Sequence, residues 1–240
     1  MILSSHTVCG SGEKSSYRVL TYGLAVEEVA ESDLPGVPLG IWTVKEPASD
    51  ETEDIQDDKY IIVSFLNASL VLSIGETVEE VLDSGLNVDV RTLEVIYLAD
   101  GTLLQIHSMG MTHVRPNRPV SIWRPPGGKL VRHARCNTRQ VVISFAGGEL
   151  MYFELDAAGQ LVDVAQTTLD ADITCIDIGE TPKNQMFAPF LGVGCEDNSV
   201  HVLTLDHKDI LGRCGSASLK SRPESVRWLS FEGFQASSND

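Results

Sequence analysis

Four times along this chain, a short run of apolar and β-branched residues meets a tight-turn signal and continues into a second such run. Tyr60 to Phe65 turns at Asn67-Ala68 into Leu70 to Ile74, and Leu93 to Leu98 turns at Asp100-Gly101 into Leu103 to Ile106. Gln140 to Phe145 turns at Gly147-Gly148 into Leu150 to Leu155, and Phe190 to Gly194 turns at Asp197-Asn198 into Val200 to Leu205. Asp-Gly and Gly-Gly tolerate the positive φ that a hairpin turn needs to match the twist of its strands. Side chains alternate across a strand, so each run can be sorted into two faces. In Val200-His201-Val202-Leu203-Thr204-Leu205, one face carries Val200 and Val202 and the other Leu203 and Leu205. A sheet apolar on both faces must be covered on both, which favours stacking around a ring over a two-layer sandwich with a wetted side. The sandwich is the second choice. The turns lie about 33, 47 and 50 residues apart, near the period of roughly 40 to 50 of four-stranded propeller blades. At that period the chain holds about five of seven blades. The expected fold is therefore all-β: a WD40-like β-propeller, incomplete, although no W-D dipeptide occurs in the sequence.

The 240 residues are 42% hydrophobic and 22% charged, enough for a sizeable core. No run of about 18 apolar residues exists to cross a bilayer as a helix, so no membrane partner is expected. Met1 to His6 shows no basic leader with a long apolar run behind it, and an intracellular location is expected. Cys9, Cys136, Cys175, Cys195 and Cys214 are odd in number and widely spaced, without a C-x-x-C pair. Free thiols are expected, with Cys175 and Cys195 as small buried hydrophobes.

The net charge of −16 opposes broad nucleic-acid binding, because sequence-independent affinity comes from Lys and Arg displacing counterions. The charge is uneven. From Gly101 to Gly148 there is no Asp or Glu, while Arg115, Arg118, Arg124, Lys129, Arg132, Arg135 and Arg139 all fall inside. Either these side chains pair with acidic neighbouring segments or they form a docking patch for an acidic partner or RNA. Glu46 to Asp58 is the converse: seven acids and no Lys or Arg, read as a loop whose self-repulsion leaves nothing to offset ordering entropy. Gly179 to Pro189 reads as a longer surface loop within a blade, and Ser237 to Asp240 as a frayed end.

Chemistry is sparse. Gly10-Ser11-Gly12-Glu13-Lys14-Ser15 resembles a phosphate loop only superficially, since Glu13 would face the phosphates. Pro125-Pro126-Gly127-Gly128 lacks two of the N–H donors that a phosphate cradle uses and reads as a turn. His6, His107, His113, His133, His201 and His207 show no metal-ligand spacing, and no G-x-S-x-G elbow is present. Asn67-Ala68-Ser69 fits a glycosylation sequon, but an intracellular chain leaves it as turn chemistry. Trp42, Trp123 and Trp228 are expected to fill core or inter-blade space. The reading is a non-enzyme without metal, cofactor or small-molecule substrate. A propeller hydrolase, with His107, His133 and His201 converging at one face, is the rival from another class.

Some longer stretches carry a resemblance. YIIVSFLNASLVLSIGETVEEVLDSG, Tyr60 to Gly85, is similar to the start of the second propeller in the family of the large propeller subunit of splicing factor 3b. RVLTYGLAVEEVAESDLPG, Arg18 to Gly36, with Trp42-Thr43-Val44, resembles the segment leading into that propeller, and RQVVISFAGGELMYFELDAAGQL (Arg139 to Leu161) and FLGVGCEDNSVHVLTLD (Phe190 to Asp206) continue the pattern in order. The superfamily includes the large subunits of the UV-damaged-DNA-binding complex and of the cleavage and polyadenylation specificity factor. The unbroken SLVLSIGETVEEV, Ser69 to Val81, looks more like the splicing branch. The resemblance implies that residues 1–240 form part of a second propeller. It also implies a nuclear, non-catalytic scaffold in pre-mRNA splicing and branch-site recognition, whose partners are other splicing factor 3b subunits and spliceosomal proteins, with RNA met mainly through the complex. The paralogous alternatives are an adaptor of a cullin ubiquitin ligase in DNA damage and a subunit of the cleavage and polyadenylation machinery.

Overall fold

The structure, a computed structural model, describes residues 4–9, 16–21, 33–45, 58–74, 78–115 and 118–229. The chain divides into two compact units, Met1–Pro35 and Gly36–Asp240. In the first, β1 (Ser4–Cys9) pairs antiparallel with β2 (Ser16–Thr21). The second holds four antiparallel meanders of four strands each. They are β3 (Gly40–Lys45), β4 (Asp58–Ser64), β5 (Ser69–Ile74) and β6 (Val78–Glu80); then β7 (Thr92–Tyr97), β8 (Leu103–His107), β9 (Gly110–Val114) and β10 (Ser121–Trp123). The third is β11 (His133–Cys136), β12 (Gln140–Ser144), β13 (Glu149–Leu155) and β14 (Leu161–Thr168). The fourth is β15 (Ile173–Ile178), β16 (Phe190–Cys195), β17 (Ser199–Thr204) and β18 (Arg213–Ser218). The first strands adjoin in sequence, β3 against β7, β7 against β11 and β11 against β15, so they are the inner strands of an incomplete propeller.

All four anticipated hairpins are present. Their uneven spacing has a cause: the turn at Asp100-Gly101 joins the first and second strands of its sheet, whereas the other three join the second and third. The equivalent second-sheet turn is Ser108-Met109, which carries no Gly-Gly or Asp-Gly signal. Gly148, at φ 75°, shows why glycine is used: a Cβ there would collide with the carbonyl oxygens of Leu169 and Ala171.

The core shows the second and third sheets covered on both sides by their neighbours. Val141 and Ile143 of β12 enter the cluster shared with the second sheet, together with Leu104, Ile106 and Phe153, while Val142 between them enters the cluster shared with the fourth, with Tyr152, Leu191 and Leu203. A third cluster, Val44, Ile62, Val71, Val95 and Leu103, joins the first and second sheets. Trp123 fills the second-to-third interface edge-on to Phe153, at 5.1 Å between ring centroids, and Trp228 stacks on Phe190. Trp123 is the inter-blade filler expected from the sequence, whereas Trp228 lies half-buried on the outer face of the fourth sheet. The length-based figure of about five blades meets four four-stranded sheets and one two-stranded sheet among the described residues. Most of the acidic segment 46–58, the Gly10 to Ser15 stretch and the Ser237 to Asp240 end lie outside them.

Two buried glutamines add polar ties between sheets. The Gln140 amide donates to the Ala188 carbonyl (3.0 Å) and accepts from the Ala188 N–H (2.6 Å) in the loop between β15 and β16. Gln105 treats Asn87, in the loop after β6, the same way at 2.9 and 2.8 Å. Each side chain imitates a backbone partner, so neighbouring sheets are held in register where apolar contact alone would let them slide.

Candidate binding site at the channel mouth

An antiparallel meander sends alternate loops to opposite ends of its sheet. The connections that enter β7, β11 and β15 therefore share one end with the turns at Ser108-Met109 and Gly147-Gly148. Val131 N–H bonding to the Ser108 carbonyl and Leu169 N–H to Gly148 confirm it. The first-to-second strand turns share the other end, where Ala99 N–H meets Thr138. At the first end the starts of the inner strands enclose a cavity of about 310 Å³, lined among others by Arg91, Arg132, His133, Arg135, Cys175 and Arg227.

Just inside, one residue from each inner strand joins a polar ladder. Trp42 of β3 donates its indole N–H to Glu94 of β7 at 3.2 Å. The other Glu94 oxygen takes Arg135 of β11 at 2.8 Å, and Arg135 Nε lies 3.6 Å from Asp177 of β15. Asp177 also receives Arg227 at 3.2 Å and the Trp228 backbone N–H at 3.1 Å. Burial raises the Glu94 carboxyl above its ordinary range, while Arg135 and the Trp42 hydrogen bond oppose it by favouring the charged form. The ladder neutralises Arg135 and Arg227 and ties successive inner strands.

Arg91 and Arg132 are left over. Each stands directly before an inner strand, β7 and β11, so they occupy equivalent places in neighbouring sheets. Neither has an ion pair among the described residues, and Arg91 Nε is buried without a hydrogen-bond partner. Burial lowers the pKa of His133; a hydrogen bond with the Ile173 backbone opposes this, and Arg132, Arg91 and Arg135 push it lower. The lining thus holds more cationic side chains than acidic ones, with Glu224 as its acid.

The seven basic residues singled out in the sequence are divided by the fold. Arg124, Lys129 and Arg132 lie at the end that carries the mouth, and Arg135 is inside the channel. Lys129 pairs with Glu149 at 2.5 Å. Arg115, Arg118 and Arg139 lie at the opposite end, where Arg115 bonds His113 and the Gly159 carbonyl, each at 3.0 Å. Sequence reading missed Arg91 and Arg227, which flank the basic stretch at a distance. The signal was present only after registering the hairpins by blade, which would have aligned Arg91-Thr92 with Arg132-His133.

Catalytic geometry does not assemble from the histidines. His107 bonds Thr112, His133 lies at the channel and His201 bonds Ser199; they sit in three different sheets and none bonds another. Cys136, Cys175, Cys195 and Cys214 are free thiols, with Cys175 and Cys195 buried as expected. Desolvation raises Cys136 and Cys195, away from the thiolate a nucleophile needs. Among the described residues no group of three or more His, Cys, Asp or Glu could hold a metal ion.

A family model described as the RSE1/DDB1/CPSF1 second β-propeller matches residues 26–239. Spliceosome-associated protein 130 A of Arabidopsis thaliana is 44% identical over 223 residues, which cover 93% of this chain and 18% of that protein. Splicing factor 3B subunit 3 of Danio rerio is 43% identical over 92% of the chain and 18% of its own length, and pre-mRNA-splicing factor rse1 of Emericella nidulans 40% over the same shares. The chain therefore spans about a fifth of the length of these relatives. The solved β-propeller domain of Myceliophteria thermophila Cps50 (Swd1) superposes with a TM-score of 0.55 at 10% identity, over 72% of this chain and 60% of that one, which supports the fold.

Proposed function

Because the chain belongs to the family of the RSE1/DDB1/CPSF1 second β-propeller, we propose that it is a non-catalytic interaction scaffold of the nuclear splicing factor 3b assembly, acting in pre-mRNA splicing. The observation that carries this reading is the 40 to 44% identity to splicing factor subunits over 92 to 93% of the chain. In it the whole of residues 1–240 belongs to one propeller.

The physical logic is that of a rigid presenter. Sheets that bury both faces against one another have little side-chain surface left to offer, so partners meet loops and strand ends. RNA is reached mainly through the complex, because a chain of net charge −16 repels a phosphate backbone. Of the basic stretch, Arg124, Lys129 and Arg132 are the members placed to act together.

Affinity capture of the tagged chain from nuclear extract tests the proposal. Recovery of splicing factor 3B subunits is the expected result. The family description also covers DDB1 and CPSF1, so recovery of cullin-ligase or cleavage and polyadenylation components in their place would overturn it in favour of a paralogous adaptor.

A further inference from the structure

The channel mouth has the features of a binding site that the scaffold reading does not use. Two of its cations, Arg91 and Arg132, are spaced by one blade, and both lack the carboxylate partner that Arg135 and Arg227 have on the ladder. Their guanidinium charges are therefore not neutralised by any carboxylate among the described residues. Arg presents a planar fork of donors that fits a carboxylate with two parallel hydrogen bonds.

From this geometry we propose that the mouth captures a carboxylate side chain of an acidic polypeptide segment, held between Arg91 and Arg132. The size of the cavity suits this occupant. About 310 Å³ accepts one or two side chains, whereas a nucleic-acid strand needs a tracking groove and aromatic platforms for its bases. Of the two rings in the lining, Trp42 is partly buried and spends its N–H on Glu94, and His133 is half-buried and bonded to the Ile173 backbone, so neither is a free platform for a base. Glu224 at the rim selects against dense negative charge such as a run of phosphates, but leaves room for an isolated carboxylate aimed at the arginines. The proposal stands on the local geometry and does not require the spliceosomal assignment.

The test is a fluorescence-anisotropy titration of the full chain with a labelled peptide of alternating glutamate and glycine, beside the same peptide with glutamine. Binding of the glutamate peptide alone is expected, weakening as salt rises. Arg132→Gln, at an exposed side chain, should reduce affinity about tenfold, the loss of one charge-assisted contact. Arg91→Gln should reduce it at least as much, Arg91→Lys should recover part of the loss, and Arg118→Gln at the opposite end should change nothing. Melting curves separate loss of the site from loss of the fold, and Arg132→Gln decides the matter if the Arg91 variants unfold. Equal binding of both peptides, no binding by the unaltered chain, undiminished binding by Arg132→Gln, or preference for a single-stranded RNA oligonucleotide would each overturn the proposal.

Discussion

The third and fourth sheets are built from the same kind of strand yet live in different surroundings. In the third, Val141, Val142 and Ile143 are consecutive residues pointing to alternate faces, and all three are at 0% exposure. In the fourth, His201, Leu203 and Leu205 are buried towards the third sheet, while Val200 and Val202 are only half-buried and all of β18 is exposed. Part of that outer face is covered by the chain itself: Pro223 lies over Gly194, and Val226 and Trp228 over Gly192, positions where a side chain would be in the way. Two-sided apolarity is thus a property of the sequence, and two-sided burial a property of the neighbours.

The largest expected effect comes from breaking this contrast at its strong end. Ile143→Ala should lower the unfolding free energy by about 2–5 kcal/mol, the sum of lost transfer and an uncollapsed cavity, measured by urea denaturation. Equal losses from Ile143→Ala and Val202→Ala would show that the fourth sheet is covered as fully as the third.

Acid sharpens the comparison next. His107 in the second sheet is 2% exposed, and burial, helped by Arg124, lowers its pKa to about 4. The unfolded chain binds the proton near pH 6.5 and the folded chain does not, so stability is present above pH 6.5 and is lost as pH falls towards 4. The loss approaches about 3 kcal/mol at the acid end. His201 in the fourth sheet is lowered in the same direction, also by burial first. His107→Gln should therefore flatten the dependence of the melting temperature on pH between 7 and 4 more than His201→Gln does. The reverse order would contradict the ranking of the two environments.

Cutting the polar tie between the two sheets should cost less. Gln140→Leu leaves the N–H and carbonyl of the buried Ala188 without partners, a loss of about 1–3 kcal/mol. The effect should be local as well as global, with faster amide exchange at Ala188 and earlier proteolysis after Lys183 in the same loop. Unchanged exchange there would mean that apolar contact alone fixes the register.

The fold was legible because turns and alternation are local. Asp100-Gly101 and Gly147-Gly148 announce themselves in two residues, and Val200 to Leu205 shows both faces in six. The site was not legible for the converse reason. Trp42, Glu94, Arg135, Asp177 and Arg227 become neighbours only because successive inner strands lie side by side, each contributing a residue at a similar depth. A run of cations in the sequence was a poor guide, since a meander carries Arg118 and Arg132 to opposite ends of the molecule although they are close in sequence. Gln105 and Gln140 were silent too: nothing marks a glutamine as the bidentate partner of a backbone residue in another blade.

The smallest effect on stability probes the open face directly. Val202→Lys replaces a half-buried side chain with one whose stem can cover the same surface while its ammonium stays in water. The change in unfolding free energy should stay within about 1 kcal/mol, because little apolar area is removed from burial. Association should respond more strongly than stability. Val200 and Val202 lie beside the fully exposed edge strand β18, whose polar backbone groups offer a template for another strand, and Phe190, on β16 one strand further in, is 41% exposed. Sedimentation velocity of the unaltered chain should show concentration-dependent self-association, which Val202→Lys reduces by charge repulsion between like faces. A unaltered chain that stays monodisperse across the concentration series would mean that the face is already covered, and the difference between the third and fourth sheets would shrink to the exposure of β18 alone.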